Sequence, residues 1–285
     1  MIDAIVTGAA GFIGRALCER LQSGGMSLRG LARNDGDVAD YRTWDVLPPA
    51  KVLIHLAGRS YVPDSWTDSA GFLQSNVLGT ENALAYCRRH GTRMVYISAY
   101  LYGIPESLPI AESHPVRPNN PYALSKHLAE QLCGFAGQYQ GVPVVVMRLF
   151  NVFGPGQRPE FLVPEIISQI RLGKEIRVRD LAPRRDYIYL DDVVGSIVRA
   201  ISVSDGVHVV NIGSGVSLSV GEIIEQIQQV AGTHLPVIAS QQQRPQEIPD
   251  VRADISHARQ LLGWAPRFSF LRGVQQLLSM EKLGV

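Results

Sequence analysis

Tyr122-Ala-Leu-Ser-Lys126 pairs a phenol with an ammonium four residues apart, a spacing that puts both side chains on one face of a helix. Asn120 and Pro121 stand where an N-cap and a first helical residue belong, so a helix is predicted to open at the tyrosine. A phenol starts near pKa ~10, and half-ionising it at neutral pH takes about 4 kcal/mol. One cation ~4 Å away at an effective dielectric of ~20 supplies about that amount. The pair is therefore able to perform general acid/base chemistry, with Lys126 tuning Tyr122. By itself the pattern also fits a packed tyrosine beside a solvated lysine. Ser98 strengthens the catalytic reading because it ends the predicted strand 93–98, and the C-terminal edge of a parallel sheet opens onto the ligand crevice. Its hydroxyl would hold a substrate oxygen facing Tyr122, although an isolated serine suits a turn equally well.

A second constellation is Gly8-Ala-Ala-Gly11-Phe12-Ile13-Gly14, placed between an apolar run at 2–6 and a helical pattern carrying Ile13, Leu17 and Leu21. Glycines allow a tight turn and close backbone approach, and the helix N-terminus that follows offers free N–H groups to a pyrophosphate. Three glycines also suit an ordinary βα turn; their position after the first strand favours dinucleotide binding. The next strand ends in Leu31-Ala32-Arg33-Asn34. With no carboxylate in that stretch to repel a 2′-phosphate and Arg33 able to pair with one, NADP(H) is favoured over NAD(H), which stays admissible. Arg33 is otherwise a solvated surface arginine. Asp45 and Val46, after a further predicted strand region, are candidates to hold the adenine edge.

These residues need a scaffold that brings strand ends together. Runs at 2–6, 27–32, 52–57, 93–98 and 142–149 read as strands, separated by amphipathic stretches. Leu73, Val77, Thr80, Leu84 and Cys87 recur at helical period, as do Leu124, Leu128, Leu132, Phe135 and Tyr139. Strand, helix, strand at this spacing predicts right-handed βαβ units and an α/β parallel sheet with helices on both faces. After Asn151 the texture becomes rich in Pro and Gly, with helices expected near 165–172, 191–201, 220–231 and 255–262 and a buried strand at 207–212. A boundary is placed near residue 150. Residues 1–150 would form the cofactor domain, with strands returning from about 187–212, and 151–285 a smaller, interleaved substrate domain.

The 285 residues carry 27 Lys+Arg against 26 Asp+Glu, a net charge of +1, so no basic excess points to nucleic acid. Cys18, Cys87 and Cys133 are odd in number and widely spaced, which fits neither a disulfide framework nor a zinc site and suits a reducing cytoplasm. No basic n-region precedes Ile2-Asp-Ala-Ile-Val6 and no apolar run approaches the ~20 residues of a membrane span. Neither export nor a membrane partner is expected.

The glycine loop, the strand-end serine and the Tyr/Lys pair, in this order, resemble the extended short-chain dehydrogenase/reductase family of nucleotide-sugar epimerases, dehydratases and reductases. Further matching segments are His55-Leu56-Ala57-Gly58, Asn76 through Thr80, Ser98 through Gly103, Arg148 through Asn151, Arg185 through Asp192 and Asn211 through Gly215. The resemblance covers essentially the whole chain. It implies a Rossmann-type doubly wound sheet with a smaller C-terminal α/β domain. It also implies cofactor contacts from Leu56, Ala57, Gly58 and Asn76, and a sugar-nucleotide diphosphate gripped by Asn151, Arg185 and Arg244, with Tyr100 and Ser98 near the sugar. The family's 4,6-dehydratases carry Asp-Glu after the strand-end hydroxyl residue, where this chain has Ala99-Tyr100, which disfavours dehydration. Segments 62–66, 154–164 and 180–186 are most similar to reductases of GDP-4-keto-6-deoxyhexoses. The alternative is an NDP-hexose 4-epimerase with tightly bound NAD, in which hydride and proton leave C4 and return on the other face. A non-catalytic dinucleotide-binding sensor is a remoter reading, since such proteins usually lack the Tyr or the Lys. In the family's dimers the two apolar helices pack against their counterparts as a four-helix bundle, and a homodimer is expected.

Overall fold

The computed structural model describes residues 1–203, 205–240 and 247–282. Along the chain, β1 (Ile2–Thr7) is followed by α1 (Phe12–Ser23), β2 (Leu28–Leu31), α2 (Arg42–Asp45) and β3 (Ala50–His55). Next come α3 (Val62–Thr67), α4 (Ser69–Leu73), α5 (Gly79–His90), β4 (Arg93–Ala99), α6 (Pro121–Gln140) and β5 (Val144–Leu149). The chain continues through β6 (Asn151–Phe153), α7 (Leu162–Leu172), β7 (Ile176–Val178), β8 (Arg184–Tyr189), α8 (Leu190–Ala200) and β9 (Val207–Ile212). It ends with β10 (Ser217–Ser219), α9 (Val220–Ala231), β11 (Val237–Ala239), α10 (Ser256–Leu262) and α11 (Phe270–Lys282).

The main sheet is six-stranded and parallel in the order β2-β1-β3-β4-β5-β9. Successive strand residues point to opposite faces, and here both faces are apolar because both are covered. Val52 and Ile54 pack with Leu17 of α1 and Ile197 of α8. Leu53, between them, packs on the other face with Leu84 of α5 and Cys133 of α6. β1 has β2 on one side and β3 on the other, so the winding reverses there and a crevice opens at the carboxyl ends of the strands.

A smaller unit packs β10-β8-β6 and β11-β7 around Phe153, Ile166, Ile223, Ile227 and Phe270. β9 returns to the main sheet, whereas β8 does not: it pairs with β6 in parallel and with β10 in antiparallel fashion. The strand expected before Asp45 is instead the short helix α2. Trp44 explains it, being 1% exposed, donating its indole N–H to Val38 O at 2.9 Å and packing against Tyr86; the turn takes the ring down into the core beneath the sheet edge.

The two apolar stripes divide differently between the sheet and the outer surface. Between α4 and α5 the Gly79 N–H reaches back five residues to Gln74 O, a wide turn that changes the face presented. Leu73 is exposed, while Thr80, Leu84 and Cys87 are buried on the sheet. On α6 the sheet-facing side includes Ala129, Cys133 and Ala136, whose small side chains let the helix lie close to the strands. Leu124, Leu128, Phe135 and Tyr139 lie on its outer face, 36–67% exposed.

Candidate active site

After β1 the chain turns at Gly8 with φ +69°. A Cβ there would lie 2.9 Å from the Ala57 backbone nitrogen, and one at Gly14 would lie 2.1 Å from Gly8 O, so side chains at either position would force the turn open. Gly11 is the N-cap of α1 and supplies no side-chain cap, which leaves first-turn N–H groups and the positive helix end available to an anion. Gly8, Gly11, Phe12, Ile13 and Gly14 line a cleft of about 1510 Å³, larger than the ~300–1,000 Å³ of an ordinary small-molecule pocket. The bare cradle and the size of the cleft fit a dinucleotide together with a second ligand.

The loop after β3 is fixed from below. His55 Nδ1 and Thr7 Oγ1 are 2.8 Å apart, and Ala57 donates its N–H to Thr7 Oγ1 at 3.1 Å. Burial, helped by the charge of Lys126, pushes the His55 imidazole down to about 3, so it stays neutral. Leu56 and Gly58 line the cleft, and Ala57 does not. Asn76 is likewise off the lining; its carboxamide accepts the Arg59 N–H at 2.8 Å and donates to Arg59 O at 3.0 Å and Ser125 Oγ at 2.9 Å. Its polar atoms therefore brace the Gly58–Arg59 backbone against α6.

Ser98, the last residue but one of β4, is 3% exposed; its hydroxyl is buried without a hydrogen-bond partner, although it lines the cleft. A buried hydroxyl left unpaired is costly, and a ligand oxygen would satisfy it. The helix α6 opens as predicted, with Asn120 Oδ1 accepting the Ala123 N–H at 2.8 Å and Pro121 in the first turn. Tyr122 and Lys126 both reach the cleft. Phe72 sets its edge against Tyr122 at 6.2 Å and is itself capped by the Arg59 guanidinium at 4.5 Å.

The charge balance differs from the expected one. Burial pushes the Tyr122 phenol above its ordinary value, so it stands protonated. Lys126 points past it, donating to Ile97 O at 2.5 Å and lying 4.2 Å over the Tyr96 ring. Burial brings Lys126 down to about 8, against the opposing pull of Glu130 one turn on. Glu130 is held by Arg148 of β5 at 2.7 Å, a buried pair.

Across the sheet, the segment after β5 forms the other end of the cleft. Asn151 and Arg185 both line it, and Asn151 donates to Asp186 O at 3.2 Å. Arg185 donates to Ile248 O at 2.6 Å and pairs with Glu247. Tyr100 lines the same cleft. Arg33 is exposed and off the lining, with Asp35 close by in sequence. That carboxylate, missing from the expected picture, accepts the Ala32 N–H at 2.8 Å and faces Arg29 at 3.6 Å. Asp45 pairs with Arg89 at 2.8 Å and Val46 is 82% exposed; neither lines the cleft. Arg244 lies outside the described residues.

A glycine cradle, an unpaired strand-end hydroxyl and a Tyr/Lys helix thus meet in one cleft. The family model described as NAD dependent epimerase/dehydratase family matches residues 4–213. The chain belongs to this family. Its relatives include the GDP-6-deoxy-D-mannose reductase of Pseudomonas aeruginosa, 34% identical over 248 residues, covering 83% of this chain and 81% of the relative. A UDP-glucose 4-epimerase of Azospirillum brasilense is 30% identical over 319 residues, covering 98% and 91%. The solved structure of RMD from Pseudomonas aeruginosa complexed with NADPH superposes with a TM-score of 0.91 at 31% identity over 100% of both chains.

For an epimerase/dehydratase family chain, reading the sequence missed several charged lining residues, Arg15, Arg59, Arg158, Arg179 and Glu247. Arg59 directly follows the matched His55–Gly58 segment, and Glu247 follows Arg244 by three residues. Adjacency to matched segments was the available signal. Arg158 lies inside the matched segment 154–164 and Arg179 directly precedes 180–186; tertiary packing brings both to the cleft.

Proposed function

We propose that this chain is an NADPH-dependent 4-keto reductase of a nucleoside-diphosphate 4-keto-6-deoxyhexose, with a GDP-linked substrate favoured. The observation that carries the reading is Ser98: a buried hydroxyl without a partner, in the same cleft as Tyr122 and Lys126. Gly8 through Gly14 would hold the pyrophosphate, Arg33 the 2′-phosphate, and Lys126 the nicotinamide ribose. When bound, the cofactor supplies the hydride that reduces the C4 carbonyl. Tyr122 donates its phenolic proton to the carbonyl oxygen while Ser98 hydrogen-bonds that oxygen as charge develops on it. Burial holds Tyr122 protonated, the state in which it can donate to the carbonyl oxygen. Lys126 has to turn from Ile97 O to serve the phenol and ribose, a rotation its flexible stem allows. Asn151 and Arg185 would receive the diphosphate, with Arg185 exchanging Glu247 for a phosphate oxygen.

The relation to a GDP-6-deoxy-D-mannose reductase at 34% identity supports this substrate class, and the absence of a carboxylate at Ala99 and Tyr100 argues against dehydration. The outer face of α6, with Leu124, Leu128, Phe135 and Tyr139 exposed, supports assembly as a homodimer through a four-helix bundle. The three free cysteines support a cytoplasmic setting, and among the described residues no helix is long and apolar enough to cross a membrane. The deciding experiment incubates the enzyme with GDP-, UDP- and dTDP-linked 4-keto-6-deoxy sugars while NADPH and NADH absorbance is followed. Net oxidation of NADPH in proportion to keto sugar is expected. Interconversion of 4-epimers without net cofactor consumption would establish the epimerase instead.

A further inference from the structure

Tyr100 is held more firmly than a loop side chain requires. Its ring meets Tyr102 at 5.5 Å and Phe150 at 5.5 Å, both edge-on, and its hydroxyl donates to Gly103 O at 2.5 Å. That acceptor is itself fixed: Gly103 has φ +69°, and a Cβ there would lie 2.5 Å from Arg117 O. Tyr102, fully buried, donates to Asn211 Oδ1 at 2.7 Å and accepts from Arg148 Nη1 at 2.9 Å, which ties the support of the wall to β5 and β9. Tyr100 and Phe150 both line the cleft next to Ser98.

We infer that Tyr100 is a specificity-determining residue whose locked ring forms an apolar wall beside the reacting carbon and selects a sugar with a methyl group at C5 over one with a hydroxymethyl group. The inference rests on the keto-sugar reductase reading. A residue two positions beyond Ser98 lies about 6–7 Å from it in extended chain, comparable with the ~3 Å hydrogen bond from Ser98 to the C4 oxygen followed by the ~3 Å from that oxygen to the carbon carried by C5. Of the ring carbons flanking C4, only C5 carries an exocyclic carbon, so an apolar wall suits its substituent better than it suits the C3 hydroxyl. The Tyr100 hydroxyl is spent on Gly103, and its ring offers nothing to a substrate hydroxyl, which would lose water without gaining a partner. Discrimination of this kind in an apolar pocket is ~10- to 100-fold.

The test uses the reverse reaction on two sugars that differ by a single oxygen: GDP-6-deoxy-D-mannose and GDP-D-mannose, or the equivalent pair on the base that the substrate panel selects. Each loses hydride from C4 to NADP⁺ and the C4 hydroxyl proton to Tyr122 as the phenolate, whose own proton has first passed to solvent, giving the 4-keto sugar, NADPH and one released proton. The wild-type enzyme is expected to favour the 6-deoxy sugar in kcat/KM by ~10- to 100-fold, and Tyr100→Phe to keep that ratio because the ring remains. Tyr100→Ala should bring the ratio to within about 3-fold by admitting the hydroxymethyl sugar, with Tyr100→Thr as a second variant if melting shows that the alanine form is unfolded. No preference in the wild type, an unchanged ratio in the opened variants, or an equal loss on both sugars overturns the inference while leaving the reductase reading intact. Failure of the wild type to act on any 4-keto-6-deoxy sugar nucleotide overturns that reading, and the inference with it.

Discussion

Replacing Lys126 by Met should stabilise the protein while disabling it. Lys126 is 7% exposed, and burial lowers it from 10.5 to about 8. At ~1.4 kcal/mol for each tenfold change in affinity for the proton, keeping the charge inside the folded chain at pH 7 costs about 3 kcal/mol. Methionine fills a similar volume without a charge. The lost hydrogen bond to Ile97 O and the lost contact over Tyr96 set some of the gain back, so about 3 kcal/mol is a ceiling. The sign with pH follows from linkage: between about pH 8 and 10.5 the unfolded chain still holds the proton that folded Lys126 has released, so the wild type recovers stability as pH rises through that window. Tyr122 and the buried thiols Cys87 and Cys133 are shifted upward and titrate in the opposite sense, so the measured quantity is the difference between the two proteins. Urea unfolding of both from pH 6.5 to 10 should show Lys126→Met ahead by 1–3 kcal/mol, an order-of-magnitude figure, below pH 8, with the lead shrinking above it. A variant less stable than wild type at pH 7, or a lead independent of pH, would refute the reasoning.

Lys126→Met should also lower both turnover and cofactor affinity; an unchanged cofactor titration would remove its role at the ribose. Tyr122→Phe is expected to abolish turnover with cofactor affinity nearly intact, since it deletes only the transferable proton and its hydrogen bond, and near-normal rates on the keto sugar would discard the assignment. For Ser98→Ala we expect kcat to fall by ~10²- to 10³-fold, with stability equal to wild type or higher because the hydroxyl has no internal partner; a clear drop in melting temperature would contradict that. Arg33→Asp should reverse a preference for NADPH over NADH, which equal dissociation constants in the wild type would rule out. A charge placed on the outer face of α6, as in Leu128→Glu, should reduce dimerisation and activity together, whereas a fully active wild-type monomer in sedimentation at micromolar concentration would refute the assembly.

Much of the site was legible because its chemistry is local. The Asn120 cap, the Pro121 start and the i, i+4 spacing of Tyr122 and Lys126 depend on one helix, and the glycine turn depends on one strand-to-helix junction; both stand where expected. The stripe on α6 was visible as a period, but not the small residues that line the opposite side. Alanines and Cys133 take the sheet side, because proximity to the strands rewards small side chains there and leaves the large ones outside.

By itself, the sequence determined the strand-helix alternation, the glycine cradle and the placing of Tyr122 and Lys126 on one helix face, since backbone periodicity and short spacings are properties of contiguous residues. Only the tertiary structure decided how the charges stand. Burial from several elements at once lifts Tyr122 and lowers Lys126, and Asn76 becomes a brace because Arg59 and Ser125 reach it from distant parts of the chain. Trp44 turned an expected strand into a helix through its place in a core assembled by residues far along the sequence. Desolvation and packing are sums over neighbours in space, and the chain order alone does not contain them.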